Sequence, residues 1–307
     1  MKTCPLFSIC GGCRYDFVSP NYRAEKIKKI KDWELSIEPF WAEPGTRRRA
    51  DFCFSGGVFG FYERGTKNII SVEKCPNLAL EINAVLPRLS ALPWVGTGSV
   101  LVTVCDNGID LTISSDVPYF TREFKEAVEK LKFVRVTWNG NIVIQKSQPK
   151  INFDGKAVDY ITGAFLQPTV DSERAMREFV KQNINNGVRV VDLFCGLGNF
   201  TFATNADGFD VVGTGAKRDL FKNPLTVKML NTYDVVIMDP PRAGALAQTK
   251  IIAKSDVKKI IYVSCNPETL RRDAKILIAA GYKTTKTAAF DQFVGSDHWE
   301  LVVVFEK

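Results

Sequence analysis

Val190-Val191-Asp192-Leu193-Phe194-Cys195-Gly196-Leu197-Gly198-Asn199 is an apolar run that ends in an acid and passes into Gly-x-Gly. It predicts a buried strand turning sharply into a helix. The glycines permit the turn and let a ligand approach the backbone, and the helix N-terminus offers free N–H groups. A dinucleotide fingerprint would be Gly-x-Gly-x-x-Gly, but Thr201 stands where the third glycine would be. Outward from this loop, residues 188–193, 210–213, 234–238, 259–264 and 301–305 form mostly continuous apolar runs. Such runs suit strands buried on both faces, with helical segments between them, and 169–184 and 268–280 read as amphipathic helices. The fold class expected for 159–307 is therefore α/β, a doubly wound Rossmann-like domain.

Residues 1–158 read differently. Short β-prone runs at 49–54, 58–63 and 69–72 are punctuated by Gly56-Gly57 and Gly65. Asp106-Asn107-Gly108 and Asn139-Gly140-Asn141 supply Asn-Gly hairpin turns between 100–105 and 109–114, and between 133–138 and 142–145. Helical patches are expected at 22–33 and from about Leu78. A small antiparallel β-rich domain is the expectation.

The 307 residues are 45% hydrophobic and 24% charged, an ordinary globular composition. With no long apolar span and no secretory-type leader, a cytoplasmic protein without membrane attachment is expected, and a monomer is assumed. The net charge of +7 suits a polyanionic partner. Lys26, Lys28, Lys29 and Lys31, then Arg47, Arg48 and Arg49, are interleaved with Trp33, Phe40 and Trp41. That mixture holds phosphates and stacks bases, so RNA or DNA contact is expected.

Two further turns follow buried strands. Asp239-Pro240-Pro241-Arg242 stiffens the chain where it leaves the sheet, so that Asp239 and Arg242 project above the strand ends. Tyr262-Val263-Ser264-Cys265-Asn266-Pro267 puts a cysteine at the same edge, before a helix that Pro267 can start. The helix dipole is expected to favour its thiolate. A thiolate added at C6 of a uracil makes C5 enolate-like; C5 can then take a methyl group, and its proton must leave to a base. That chemistry needs one cysteine and one base. Glu300 is the candidate base, with His298, the sole histidine, as a residue that orients or tunes it.

Eight cysteines in such a chain argue against a disulfide framework. Cys4-x5-Cys10-Gly-Gly-Cys13 supplies three soft ligands and Cys75 a plausible fourth; the spacing suits zinc or an iron–sulfur cluster alike. Cys53, Cys105 and Cys195 are expected to be structural.

These residues resemble the RNA 5-methyluridine methyltransferases, in particular the iron–sulfur-containing 23S rRNA (uracil-5-)-methyltransferases, over nearly the whole chain. The resemblance rests on Ser264-Cys-Asn-Pro-x-Thr-Leu-x-Arg-Asp273, His298-x-Glu300, the loop from Asp192 to Phe200, Asp239-Pro-Pro-Arg242 and Phe165-Leu166-Gln167. It implies a Rossmann-like methyltransferase domain preceded by a β-rich, RNA-binding iron–sulfur domain; the family's frequent N-terminal oligonucleotide-binding barrel is expected to be absent, because the cysteine cluster begins at residue 4. It implies Cys265 as nucleophile and Glu300 as base. Gln167, Phe194, Gly196, Gly198, Asn199, Asp219 and Asp239 would bind S-adenosylmethionine, and Cys4, Cys10, Cys13 and Cys75 a [4Fe–4S] cluster. The partner implied is 23S rRNA, with tRNA as an alternative.

The sequence departs from this pattern in a second place. Pro240 stands only 46 positions after Phe194, whereas helix–strand units run to about 30 residues each. After 210–213 the chain reads Val212-Gly213-Thr214-Gly215-Ala216-Lys217, without an acid for the cofactor ribose. Asp219 then follows at once, so one helix–strand unit is expected to be missing and cofactor affinity to be weakened. Two other readings compete: an amino-group methyltransferase, which would not need Cys265, and an RNA-binding iron–sulfur protein with a degraded cofactor pocket.

Overall fold

A computed structural model describes residues 4–307. The chain forms two compact units: residues 1–26, 43–170 and 294–297, and residues 27–42, 171–293 and 298–307. The chain thus divides at 170/171, against 158/159 from the composition. It also lends 27–42 to the second unit, in which β1 (Phe40–Trp41) lies. Helix α1 (Tyr22–Ile27) gives way to a 3-10 turn at Lys28–Ile30, so the helix expected to reach residue 33 is short.

The first unit is a seven-stranded sheet. Its strands are β2 (Arg49–Ser55), β3 (Val58–Tyr62), β4 (Ile69–Ser71), β5 (Thr97–Cys105), β6 (Gly108–Ser115), β7 (Arg135–Trp138) and β8 (Asn141–Gln145), in the order β4-β3-β2-β5-β6-β7-β8. The β7–β8 turn places Asn139 and Gly140 at positive φ, +46° and +81°, as a two-residue hairpin requires. The sheet is antiparallel except for β6–β7, where helix α3 (Arg122–Glu129) crosses over and makes the pair parallel. Alternate residues Phe52, Phe54, Val100, Val102, Leu111 and Ile113 pack one face against helix α2 (Leu80–Ser90) and α3. A separate hairpin, β9 (Lys150–Phe153) with β10 (Lys156–Asp159), follows.

The second unit is a three-layer α/β domain. Helix α4 (Val170–Gln182) leads into β11 (Val190–Leu193), α5 (Asn199–Thr204), β12 (Asp207–Asp210), β13 (Ala216–Lys217) and α6 (Val227–Leu230). Then come β14 (Val235–Met238), α7 (Leu246–Ile252), β15 (Lys259–Ser264), α8 (Pro267–Ala279), β16 (Lys283–Asp291) and β17 (Glu300–Glu306). The sheet order is β1-β16-β17-β15-β14-β11-β12-β13, with β17 antiparallel to both neighbours. Side chains alternate between two cores. Val191, Val236, Ile260 and Val303 face α7 and α8, while Val190, Val235, Ile261 and Val302 face α4. That double burial is why these strands read as continuous apolar runs.

The strand expected at 210–213 lies instead at Asp207–Asp210. β13 holds the outer position beside β12, two residues long and reached without a helix. Among the described residues no helix is long and apolar enough to cross a membrane.

Candidate active site and cysteine cavity

The order of the sheet reverses at β11, which is flanked by β12 on one side and β14 on the other. In an open α/β sheet the ligand crevice lies beyond the strand carboxyl ends at such a point. Register brings the predicted residues to that edge. Leu193 pairs with Met238 and Met238 with Tyr262, so Phe194, Asp239 and Cys265 all follow strand ends side by side. Because β17 runs antiparallel to β15 with Leu301 opposite Ser264, its first residue, Glu300, enters the same edge beside Cys265.

The glycine loop is held in an uncommon conformation. Phe194 has φ +64°, costly for an aromatic residue and a mark of functional sites. Its ring meets Phe221 at 5.4 Å between centroids. Gly198 has φ +92° and starts α5, and a Cβ there would strike Phe202 and Thr214. Asp192 is fully buried; its Oδ2 accepts from Thr201 Oγ1 at 2.6 Å. Asn199 Oδ1 accepts from Arg177 Nη1 at 2.7 Å. Asp192 Oδ1 and Asn199 Nδ2 are buried with no partner among the described residues, a free acceptor and a free donor at one loop. Such atoms are costly unless a ligand completes them, and a cationic amino-acid ligand with an adjacent carboxylate fits both.

The place for which the sequence offered no acid does hold one. With β12 ending at residue 210, Asp210 sits at the strand's carboxyl end. Its Oδ2 accepts from Gly196 N at 2.8 Å and its Oδ1 from Val211 N at 2.6 Å. Asp219 is not tied to the glycine loop by a hydrogen bond. Its Oδ1 accepts from Phe221 N and Lys222 N, and its Oδ2 pairs with Lys222 Nζ at 3.6 Å.

Three acids at the strand ends are strained by burial. Burial, with the charges of Asp239 and Asp210 added, pushes Asp192 up to about 7. Burial and Asp210 push Asp239 up to about 7. Glu300, only 2% exposed, is held well above the usual carboxylate range by burial and by Asp239. Gln292 Nε2 donates to Glu300 Oε2 at 2.7 Å and favours its charged form. Gln292 is the residue the sequence reading missed. His298, expected to tune Glu300, is exposed and lies against Phe293, ring centroids 5.8 Å apart.

Cys265 also differs from expectation. Burial first, then the charges of Glu300 and Asp239, push its thiol up to about 12 against the opposing charge of Arg242. Proximity to the N-terminus of α8 does not offset two nearby carboxylates in a half-buried site. The free protein therefore carries a thiol, not a thiolate.

In the first unit, Cys4, Cys10, Cys13 and Cys75 line one cavity of about 250 Å3, together with Arg47 and apolar side chains such as Phe7 and Leu78. Burial, then the neighbouring charges of Cys75, Cys10 and Cys4, pushes Cys13 up to about 12. Asn83 fixes the fourth thiol: its Oδ1 accepts from Cys75 N at 2.8 Å and its Nδ2 donates to Cys75 O at 3.0 Å. Among the described residues, no group of three or more His, Cys, Asp or Glu side chains closes around a single metal-ion position. Cys53, Cys105 and Cys195 are buried.

The basic clusters are only partly available to a polyanion. Lys26 and Arg48 are buried, Arg48 donating to Gln167 O at 3.0 Å, and Arg47 lines the cysteine cavity. Lys28, Lys29 and Lys31 are exposed. Trp41 packs on Trp299 at 5.0 Å and Trp33 under Arg271 at 5.4 Å, so neither ring is a bare stacking surface. Gln167 belongs to the first unit, where its side chain is buried.

A family model described as tRNA (Uracil-5-)-methyltransferase matches residues 216–307. An uncharacterised RNA methyltransferase of Mesorhizobium japonicum is 35% identical over 345 aligned positions, covering 99% of this chain and 84% of the relative. The Salmonella typhi 23S rRNA (uracil(1939)-C(5))-methyltransferase RlmD is 27% identical over 359 positions, covering 99% of this chain and 81% of its own. The Pyrococcus abyssi tRNA (uracil-54, C5)-methyltransferase, solved with S-adenosyl-L-homocysteine, superposes with a TM-score of 0.75. It is 20% identical and covers 93% of this chain and 83% of its own.

Proposed function

The chain belongs to the RNA 5-methyluridine methyltransferase family, and from that premise we propose that it methylates C5 of one uridine in 23S rRNA through a bond between Cys265 Sγ and uracil C6. The observation that carries this reading is the convergence of Cys265, Glu300 and Asp239 on one sheet edge, set by strand register. S-adenosylmethionine supplies the methyl group as an electrophilic sulfonium. Cys265 gives up its proton to solvent and adds to C6 as a thiolate, C5 takes the methyl group with release of S-adenosylhomocysteine, Glu300 accepts the C5 proton, and elimination of Cys265 restores the ring. A carboxylate whose pKa burial has raised is a stronger base than an exposed one, and Gln292 holds one of its oxygens in place.

Phe194, Gly196, Gly198, Asn199, Asp219 and Asp239 line the proposed cofactor site, and Asp210 takes the ribose-side place beside the glycine loop. The unpartnered Asp192 Oδ1 and Asn199 Nδ2 support it. Gln167 enters on the Phe-x-Gln resemblance alone. The alignment with the Mesorhizobium relative spans 345 positions against 307 residues here, so at least 38 of its positions face no residue of this chain. That supports the loss of a helix–strand unit, and β13, two residues long, is the element proposed to mark its place.

The four cavity thiols are proposed to hold a [4Fe–4S] cluster. Such a cluster would take one thiolate at each of its four irons, so its ligands would stand farther apart than those of a single ion. Half-buried thiols at Cys13 and Cys75, each raised by burial and by the charge of neighbouring cysteines, fit a site completed by a cationic cluster. Its role is to order the first unit.

The test is methyl transfer from radiolabelled S-adenosylmethionine to unmodified 23S rRNA, with tRNA in parallel. Transfer lost in Cys265→Ala supports the proposal. Transfer that survives it favours an amino-group methyltransferase, and RNA binding without transfer favours a degraded cofactor pocket. Label on tRNA alone moves the substrate from rRNA to tRNA.

A further inference from the structure

The turn that follows Asp239 is anchored more tightly than its two prolines require. Asp273, fully buried on α8, accepts with Oδ2 from Tyr262 Oη at 2.7 Å and from Ala245 N at 2.9 Å. Ala245 N also donates to Tyr262 Oη, at 3.1 Å. The other carboxylate oxygen, Oδ1, accepts from Arg272 Nε at 2.8 Å, and Arg272 Nη2 donates to Ala243 O at 3.1 Å. Gly244, at φ +72°, lies so close that a Cβ would meet Arg272 and Asp273. The carbonyl of Arg242 is held from α8 as well, by Asn266 Nδ2 at 2.9 Å and Thr269 Oγ1 at 3.3 Å. Both ends of this clamp sit on the strand–helix element that carries Cys265, so turn and nucleophile are fixed to one body.

We propose that Asp273 is a positioning residue for Cys265: through Tyr262, Arg272 and the main chain of residues 243–245 it fixes the turn that carries Arg242, a residue with an exposed side chain, to the strand–helix element that carries the nucleophile. Arg242 is the cation that opposes Glu300 and Asp239 at the thiol. Asp273 itself touches neither substrate nor reacting atoms. An asparagine there can keep the acceptor for Tyr262 and Ala245 or the acceptor for Arg272, not both, because one of its two heads is a donor. The turn then loses one of its two ties.

This inference rests on Cys265 as nucleophile, but its test does not need turnover. The rate of Cys265 alkylation by iodoacetamide, followed by peptide mass spectrometry from pH 7 to 10 without RNA or cofactor, reports the thiolate fraction. Asp273→Asn and Arg242→Gln should each slow alkylation roughly three- to tenfold at a given pH, half to one unit of thiol pKa. The double variant should be no slower than Arg242→Gln alone, because Asp273 acts through Arg242. Tyr262→Phe, which removes one hydroxyl without changing volume, should give a smaller slowing in the same direction and stands in if Asp273→Asn does not fold. Wild-type alkylation in folded Asp273→Asn or, in its absence, in Tyr262→Phe overturns the proposal. So do effects of Asp273→Asn and Arg242→Gln that add. Loss of the methyltransferase reading would show separately, as transfer that survives Cys265→Ala.

Discussion

Replacing Asp192 by Asn should stabilise the protein above neutral pH while removing its methyl-donor binding. In an unfolded chain the carboxyl titrates near 3.8, and in the folded protein burial lifts it to about 7. A raised carboxyl keeps its proton in the folded state after the unfolded chain has released it. The stability it allows is full below about pH 4 and falls as pH rises towards 7. Three pKa units at about 1.4 kcal/mol each set a ceiling of about 4 kcal/mol at pH 8. Neutral Asn must still be buried, with one polar atom poorly partnered, so a net gain of roughly 1–2 kcal/mol is expected. For a domain of this size that is about 3–6 °C in Tm. Melting curves of wild type and Asp192→Asn from pH 4.5 to 8.5 should show an advantage for the variant that is widest at pH 8 and is gone or reversed at pH 5. Saturating S-adenosylmethionine should raise the melting temperature of the wild type and leave the variant unchanged. A gap independent of pH, or a variant less stable at pH 8 than at pH 5 relative to wild type, would refute the assignment of Asp192 as a strained acid kept for a cationic ligand.

Glu300→Gln should arrest the reaction after methyl transfer and leave a covalent protein–RNA adduct on denaturing gels, absent in Cys265→Ala; a Gln variant that turns over freely removes Glu300 as base. Gln292→Leu deletes the hydrogen bond that favours the ionised form of Glu300, so the acid limb of the pH–rate profile should move to higher pH; an unmoved limb means Gln292 does not act on the base. Protein purified anaerobically should be brown with broad absorption near 400 nm, and Cys13→Ala should lose iron; a colourless protein rich in zinc would sink the cluster.

What the sequence displayed of the site is what a strand and a turn can write locally. Cys265 and Asp239 were legible because each ends a doubly buried run and is followed by a proline-stiffened turn. Their meeting follows from parallel register between neighbours. Gln292 was not legible. It reaches Glu300 only because β16 folds back on β17, and no spacing marks a glutamine eight positions before its partner. Lys26 and Arg48 misled for the same reason: a run of cations looks like a surface, and burial of two of them is decided by packing remote in sequence. His298 looked like the obvious partner of Glu300 because only two positions separate them. In a β-strand, however, a residue at the entry can swing outward while its neighbour faces in.

The strand read three residues too late is the most instructive miss, since it hid the acid beside the glycine loop. Val211 and Val212 satisfy β-propensity better than Asp207 and Gly208 do, so the pattern places the strand at 210–213. Geometry overrules it. Parallel neighbours normally need a crossover of about a dozen residues, yet here residues 211–215 alone join β12 to β13. So short a link must lie against the glycine loop, and it does: Thr214 N donates to Gly196 O at 3.1 Å. A Cβ at Gly213 would fall 1.8 Å from Gly196 O, and one at Gly215 would strike the backbone of Gly208. Only glycine at 213, 215 and 208 lets the chain pass. Drawing the strand back to 207–210 frees the residues the link consumes and sets Asp210 at the strand end, where its carboxylate accepts from Gly196 N. The short link that joins β12 to β13 without a helix thus also leaves an acid at the crevice edge.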